Sequence, residues 1–165
     1  MSASNGGGAD PPTKEFAPLE YLKMLQEVIK RLAGNSFSVK GWSVTLVAAL
    51  LALAAKEDAV ILVTIALIPA AFFWGLDGYY LYLERTFRAI HETVAEELTK
   101  PESERKLRTY SMNVGKLRES CEALHYKLLD AGDWYVAATR PAVLGFHGPL
   151  LFVVVAALIA SLARS

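Results

Sequence analysis

The residues of this chain that could do chemistry are few and far apart. Its three histidines, His91, His125 and His147, lack the spacing of metal ligands, and Cys121 is the single cysteine. A zinc cluster and a disulfide framework are therefore excluded. The sequence also contains no phosphate-binding loop, no GxSxG motif and no GxGxxG motif. We therefore predict a protein that is not an enzyme and that needs no cofactor.

Asp77 is the most informative single residue, because it lies near the end of an apolar segment at residues 59–80. A carboxylate inside a membrane span is costly unless it is paired or hydrated. One interpretation is a pore mouth or an interhelix contact, with Arg85 or Lys40 as the partner. The other places Asp77 in the lipid headgroup region, where its charge costs little. The sequence does not decide between them.

Three further residues are candidates for a pore or a gate. Thr45 and Thr64 carry hydroxyl groups inside apolar segments, although such groups more often bond to the preceding helical turn than line a pore. His147 is followed by Gly148 and Pro149, which weaken a helix and permit a kink or a close helix contact. The predicted pore or gating residues are Asp77, Thr45, Thr64 and His147.

The candidate ligand-binding residues share a positive charge and lie between the second and third apolar segments. They are Arg85, Arg88, Arg105, Lys106, Arg108, Lys116, Arg118 and Lys127. Aromatic side chains are interleaved with them, and this combination suits single-stranded nucleic acid, because cations contact phosphates while rings stack on bases. An ordinary cytoplasmic loop has a similar composition. Arg85 and Arg88 are suited either to lipid phosphates or to a soluble anion.

Three apolar segments must position these residues, at 37–55, 59–80 and 142–163. Each is about 20 residues long, the length of helix that crosses a hydrocarbon core of roughly 30 Å. The short linker at residues 56–58 predicts a tight hairpin between the first two. No helix breaker follows Tyr80 until Pro101, so the second segment should continue as one helix of about 40 residues.

The resulting fold class is an all-α membrane protein with three transmembrane helices, a small cytoplasmic helical region and an amphipathic N-terminal helix. The predicted boundaries are a disordered tail at 1–14, the amphipathic helix at 15–34, the transmembrane hairpin at 35–80, a stalk and small subdomain at 81–141, and the third span at 142–163. Gly34-Asn35 should end the amphipathic helix. Its mixed charge favours packing on protein over lying on the lipid leaflet. Residues 107–114 fit a strand or a helix start, and residues 117–130 look helical.

The net charge is zero, but the positively charged residues are unevenly distributed along the sequence. Of the 17 Lys and Arg residues, 14 lie before the first apolar segment or between the second and the third, and Lys40 lies near the start of the first segment. Positive charge is retained on the cytoplasmic side of membrane proteins. The N terminus and residues 81–140 should therefore be cytoplasmic, with the C terminus outside.

Two runs of sequence resemble a known family. They are NSFSVKGWSVTLVAALLALAAKED at residues 35–58 and FFWGLDGYYLYLERTFRAIHETV at residues 72–94. This layout is similar to small bacterial membrane proteins, among them the Hailong-type membrane effectors of antiphage defence operons, which are paired with a nucleotidyltransferase. The resemblance implies an ion channel in the bacterial inner membrane, controlled by a DNA oligomer that the partner enzyme makes. It supplies no catalytic motif.

Three spans cannot enclose an aqueous pore, so a channel would require a homo-oligomer, most simply a symmetric ring in the lipid bilayer. The alternative function is a non-conducting membrane anchor or scaffold for a cytoplasmic partner. The sequence leaves both open.

Overall fold

The computed structural model describes residues 16–57, 60–105 and 133–164. Its elements are α1 (Phe16–Glu57), α2 (Val60–Leu98), a 3₁₀ turn (Glu102–Glu104), a short α3 (Trp134–Ala138) and α4 (Pro141–Leu162). Across these three ranges no β-strand occurs, and the predicted all-α class is confirmed. The predicted tail at 1–14, the ambiguous segment at 107–114 and the predicted helix at 117–130 lie outside the described residues.

Three helices, α1, α2 and α4, are long and apolar enough to cross a membrane. The bounds of α4 agree with the predicted third span to within one residue at each end. Pro69 lies inside α2 and Pro149 inside α4, and neither ends its helix. Membrane helices tolerate proline where neighbouring groups compensate for the lost backbone hydrogen bond.

Helix α1 is one continuous helix of 42 residues, so the predicted end at Gly34-Asn35 is wrong. Leu32 and Val39, on either side of that pair, are both buried and lie one heptad apart on the same face. Packing along this face outweighs the cost of a glycine inside a helix, which is about 1 kcal/mol. The predicted amphipathic helix and the first span are therefore a single rod about 60 Å long.

The stalk consists of residues 16–35 of α1 and residues 81–98 of α2, which extend beyond the apolar segments. Its core contains Leu25, Leu32, Phe87, Ile90 and Val94. The prediction that the N-terminal helix packs on protein is confirmed, because it packs against α2. The prediction that α2 is one long helix is also confirmed, since it has 39 residues.

The membrane core is a second cluster, formed by all three long helices. Val47 of α1, Ala66 and Ala70 of α2, and Val154 of α4 are its buried members. Alanine at two of these four positions lets the helix backbones approach closely. Between the stalk core and the membrane core the helices carry polar residues instead.

Candidate functional site

Asp77 occupies the level at which the stalk meets the spans. Its exposed fraction is 0 %, so it is enclosed by protein. Ser36 donates a hydrogen bond to Oδ1 at 2.5 Å. The Nζ of Lys40 lies 2.7 Å from Oδ1 and 2.6 Å from Oδ2. Of the two interpretations of Asp77, the interhelix contact is the one that the structure contains, with Lys40 as the partner.

Helix α1 presents two donors to Asp77 because Ser36 and Lys40 are four residues apart and therefore share one face. Lys40 also donates to the Ser36 hydroxyl at 2.8 Å, which holds both side chains in place. The Lys40 side chain is 22 % exposed, so its ammonium group keeps some contact with the surroundings. Its stem can cross apolar surface while the charge reaches a polar site.

His147 connects the third span to the same carboxylate. Its Nε2 lies 3.2 Å from Asp77 Oδ2, and the ring has an exposed fraction of 0 %. Because an ionised carboxylate only accepts, the Nε2 proton is the donated one. We name Ser36, Lys40, Asp77 and His147 the Asp77 cluster. It joins α1, α2 and α4 through a single side chain.

Two buried polar atoms lie close to the Asp77 cluster without a hydrogen-bond partner among the described protein groups. They are Nδ1 of His147 and Oγ of Ser43. Ser43 follows Lys40 by three residues on the buried face of α1, and Val47 of the membrane core follows one turn later. The polar level therefore extends about one turn further into the bundle than the ion pair itself.

The Asp77 cluster meets the physical conditions under which a buried charge is tolerated. Removing charges from water costs several kcal/mol for each ion, and mutual attraction repays this only with good geometry and further hydrogen bonds. Asp77 meets that condition with donors from three different residues. Ionisable groups inside spans are rare and are found mainly at functional positions. The cluster is therefore the strongest candidate site in the described part of the chain.

The contact between Asp77 and His147 was not predicted, although the sequence contains a signal for it. Lys40, Asp77 and His147 each lie three to five residues inside the same end of their own predicted segments. Spans that cross the membrane in alternating directions bring such residues to one depth. Asp77 was the only acidic residue in the three segments, so both other residues were natural partners for it. Arg85, the other partner considered, makes no ion pair with Asp77 in the structure.

Thr45 and Thr64 do not join the cluster. Each hydroxyl donates to the carbonyl oxygen four residues earlier, Thr45 to Gly41 and Thr64 to Val60, both at 3.0 Å. Both side chains are exposed on the outside of the bundle. Gly145 and Gly148 make no close helix contact either, since a Cβ atom on either would meet nothing within 4 Å.

The described basic residues are not assembled into one surface. Arg88 forms an ion pair with Glu84 at 2.6 Å, and Arg85 is partly buried. Arg105 donates to the carbonyl oxygens of Leu98 and Lys100 and so caps the end of α2. The other five candidates lie outside the described residues; they are Lys106, Arg108, Lys116, Arg118 and Lys127.

Helix α3 is an element that the sequence did not predict, and it positions the start of α4. Ala138 packs against Gly78, where a Cβ atom would come within 2.5 Å of the Ala138 Cβ. The Trp74 indole donates to the carbonyl oxygen of Ala138 at 2.9 Å. The opposite side of α3 exposes Trp134 and Tyr135, as expected for residues at a membrane interface. The hydrogen bond from Tyr135 to Asp133 raises the pKa of that phenol.

The described residues form an all-α bundle whose three long helices are able to span a membrane and enclose a buried ion pair. Within the described ranges, no group of three or more His, Cys, Asp or Glu residues could hold a metal ion. Comparison with protein-family models, curated proteins and solved structures found no match.

Proposed function

We propose that this protein is an oligomeric transmembrane effector that forms a ligand-gated ion channel in the bacterial inner membrane. One observation carries the proposal. Helices α1 and α2 run without a break from the stalk core to the Asp77 cluster inside the spans. A ligand that shifts the stalk therefore moves polar residues within the membrane directly, without an intervening loop.

The conducting path has to lie between subunits. The interior of one bundle is filled by Val47, Ala66, Ala70 and Val154. In the most apolar window of each long helix only 17–22 % of the residues are buried. Much of the remaining apolar surface is available to lipid and to neighbouring copies, and a closed ring is the simplest arrangement of identical subunits around a pore.

The second candidate is a non-conducting anchor or scaffold for a cytoplasmic partner. It is favoured by the fact that the Asp77 cluster is paired within one chain rather than turned towards a neighbour. Native mass spectrometry in lipid nanodiscs and conductance measurements separate the two functions. The channel requires an oligomer that conducts, whereas a monomer that does not conduct supports the anchor.

The orientation of the protein gives a direct prediction. Reporter fusions at residues 56–58 and at the C terminus should report the outside, and fusions at residues 81–140 the cytoplasm, because positive charge stays inside. The region 81–140 holds ten Lys and Arg residues, whereas the hairpin tip holds only Lys56. An outside signal from a fusion within residues 100–120 would overturn this orientation.

The gating ligand that we propose is an oligonucleotide made by a partner nucleotidyltransferase. The support for it is the resemblance to Hailong-type antiphage effectors, together with the basic residues that follow α2. Such a ligand would be made in the cytoplasm, where the proposed orientation also places Arg105 and its basic neighbours. A ring would bring the same residues of every subunit together and strengthen their field.

Replacing Arg105, Lys106 and Arg108 together by alanine should weaken oligonucleotide binding without preventing assembly. Each phosphate contact of a single strand contributes about 0.7 to the slope of log affinity against log salt, so the slope should fall by about two per bound subunit. Fluorescence anisotropy at several salt concentrations measures it. The matched control replaces Lys23, Lys30 and Arg31, three exposed basic residues of the α1 part of the stalk.

Unchanged affinity in the Arg105 triple variant, or affinity insensitive to salt, would remove the oligonucleotide site. An equal loss in the control would show that general positive charge, rather than this segment, attracts the ligand. The channel would then be controlled by a protein partner or by lipid.

A further inference from the structure

The Asp77 cluster combines a fully paired carboxylate with two unpartnered polar groups beside it. Asp77 accepts from Ser36, Lys40 and His147, whereas Ser43 Oγ and His147 Nδ1 have no partner among the described protein groups. Buried polar groups in folded proteins are nearly always hydrogen-bonded, and each exception needs an explanation. The described residues contain three such atoms: His147 Nδ1 belongs to the Asp77 cluster, Ser43 Oγ lies one helical turn from Lys40, and the third is Nε of Arg140, which precedes α4.

The two unpartnered groups have complementary hydrogen-bonding properties. In a neutral His147 imidazole whose Nε2 donates to Asp77, Nδ1 is an acceptor, and the Ser43 hydroxyl can donate to such an acceptor. A polar region of this kind, lined by donors and acceptors, takes water readily, whereas an apolar one does not. Both groups would therefore gain hydrogen-bond partners in an arrangement of the helices in which water reaches them.

We propose that the Asp77 cluster is a polar latch that closes the stalk-side end of the spans, and that its release admits water as far as Ser43 and His147. This inference rests on the proposed function, because it names the device that regulates the channel. In the structure the latch is closed, with α1 and α4 both held to Asp77 of α2.

The stalk is able to operate this latch because the donors belong to its own helix. Ser36 and Lys40 lie about one and about two turns beyond Leu32 of the stalk core, in the same unbroken helix. A rotation of α1 by one residue, about 100°, would carry both donors away from Asp77. Gly34 lies between Leu32 and these two donors, and a Cβ atom there would meet nothing within 4 Å.

Cysteine accessibility tests the latch. In the full chain with Cys121→Ser, the Ser43→Cys variant is reconstituted in liposomes and exposed to a charged, water-soluble methanethiosulfonate reagent. Modification of the introduced cysteine should be slow while Asp77 is present and about tenfold faster or more after Asp77→Asn. A tenfold larger open population requires the substitution to shift the free energy between the closed and open forms by only about 1.4 kcal/mol. Ser36→Ala, which removes one donor and retains the ion pair, should give a smaller increase.

The matched control is Ala54→Cys, a buried position on the same face of α1, about three turns beyond Ser43 and near the hairpin end of the same span. Its reactivity should stay low in all backgrounds. The latch would be overturned if Ser43→Cys reacted at the same rate in the Asp77→Asn and Ser36→Ala backgrounds as in the background that keeps both residues. An equal rise at Ala54→Cys would overturn it too, because it would show general loosening of the bundle.

The cysteine test and the conductance measurement distinguish failure of the latch from failure of the channel. If the purified protein does not conduct but Ser43→Cys responds as expected, the channel fails and the latch remains. If the protein conducts and Ser43→Cys does not respond, the latch alone fails.

Discussion

Replacing Lys40 by methionine should lower the free energy of unfolding by about 3–5 kcal/mol, because it leaves the Asp77 carboxylate buried without a cationic partner. Methionine keeps much of the apolar stem, so the loss reports the charge rather than the packing. Asp77 has an exposed fraction of 0 % and cannot turn to solvent. The measurement is reversible unfolding of the purified protein in mixed micelles, followed by circular dichroism.

Lys56→Met is the matched control, because Lys56 is exposed in the last turn of the same helix and should change the stability by no more than about 0.5 kcal/mol. Asp77→Asn in the Lys40→Met chain should recover about 2 kcal/mol, since it removes the unpaired charge. Equal stabilities of Lys40→Met and Lys56→Met would contradict the structure of the cluster. So would a Lys40→Met, Asp77→Asn double variant that is no more stable than Lys40→Met.

Gly78→Ala should destabilise the protein by about 1–3 kcal/mol, the usual cost of overpacking a close contact. The new methyl group would lie 2.5 Å from the Cβ and 2.7 Å from the Cα of Ala138, so the backbone of α3 would have to move. The Trp74 indole would then lose its bond to the Ala138 carbonyl oxygen. The measurements are thermal unfolding and the emission of Trp74 in a chain with Trp42→Phe and Trp134→Phe.

Gly75→Ala serves as the control for that prediction. A Cβ atom at position 75 meets nothing within 4 Å, and alanine is favoured over glycine inside a helix by about 1 kcal/mol. This variant should be neutral or more stable. If both alanine variants behaved alike, the docking of α3 on α2 would be wrong.

The spans and the long α2 were predictable because length and apolar composition decide them almost alone. The end of the first helix was not, because Gly34-Asn35 is a local stop signal and the packing of Leu32 and Val39 is a tertiary effect. Local signals of this kind are weak when a heptad face continues through them. In such a chain, a continuous row of apolar residues at heptad spacing predicts the extent of a helix better than a local stop signal does.

Asp77 was identified from the sequence, but its surroundings were only partly predictable. Lys40 was one of two candidate partners, beside Arg85, whereas the contact with His147 depends on how α4 packs against α2. Thr45 and Thr64 resembled pore residues by type, yet their rotational position on the helix places them outside the bundle. Helix α3 gave no periodic signal, because five residues are too few to show one.

Recording from the purified full chain in voltage-clamped planar bilayers tests whether the protein is a channel. We expect discrete conductance steps from an oligomer, and a higher open fraction after Asp77→Asn because the latch is released. A preparation of proven oligomeric or monomeric state that is inserted in the bilayer and shows no conductance, with or without the Asp77→Asn substitution, would contradict the channel and leave the anchor.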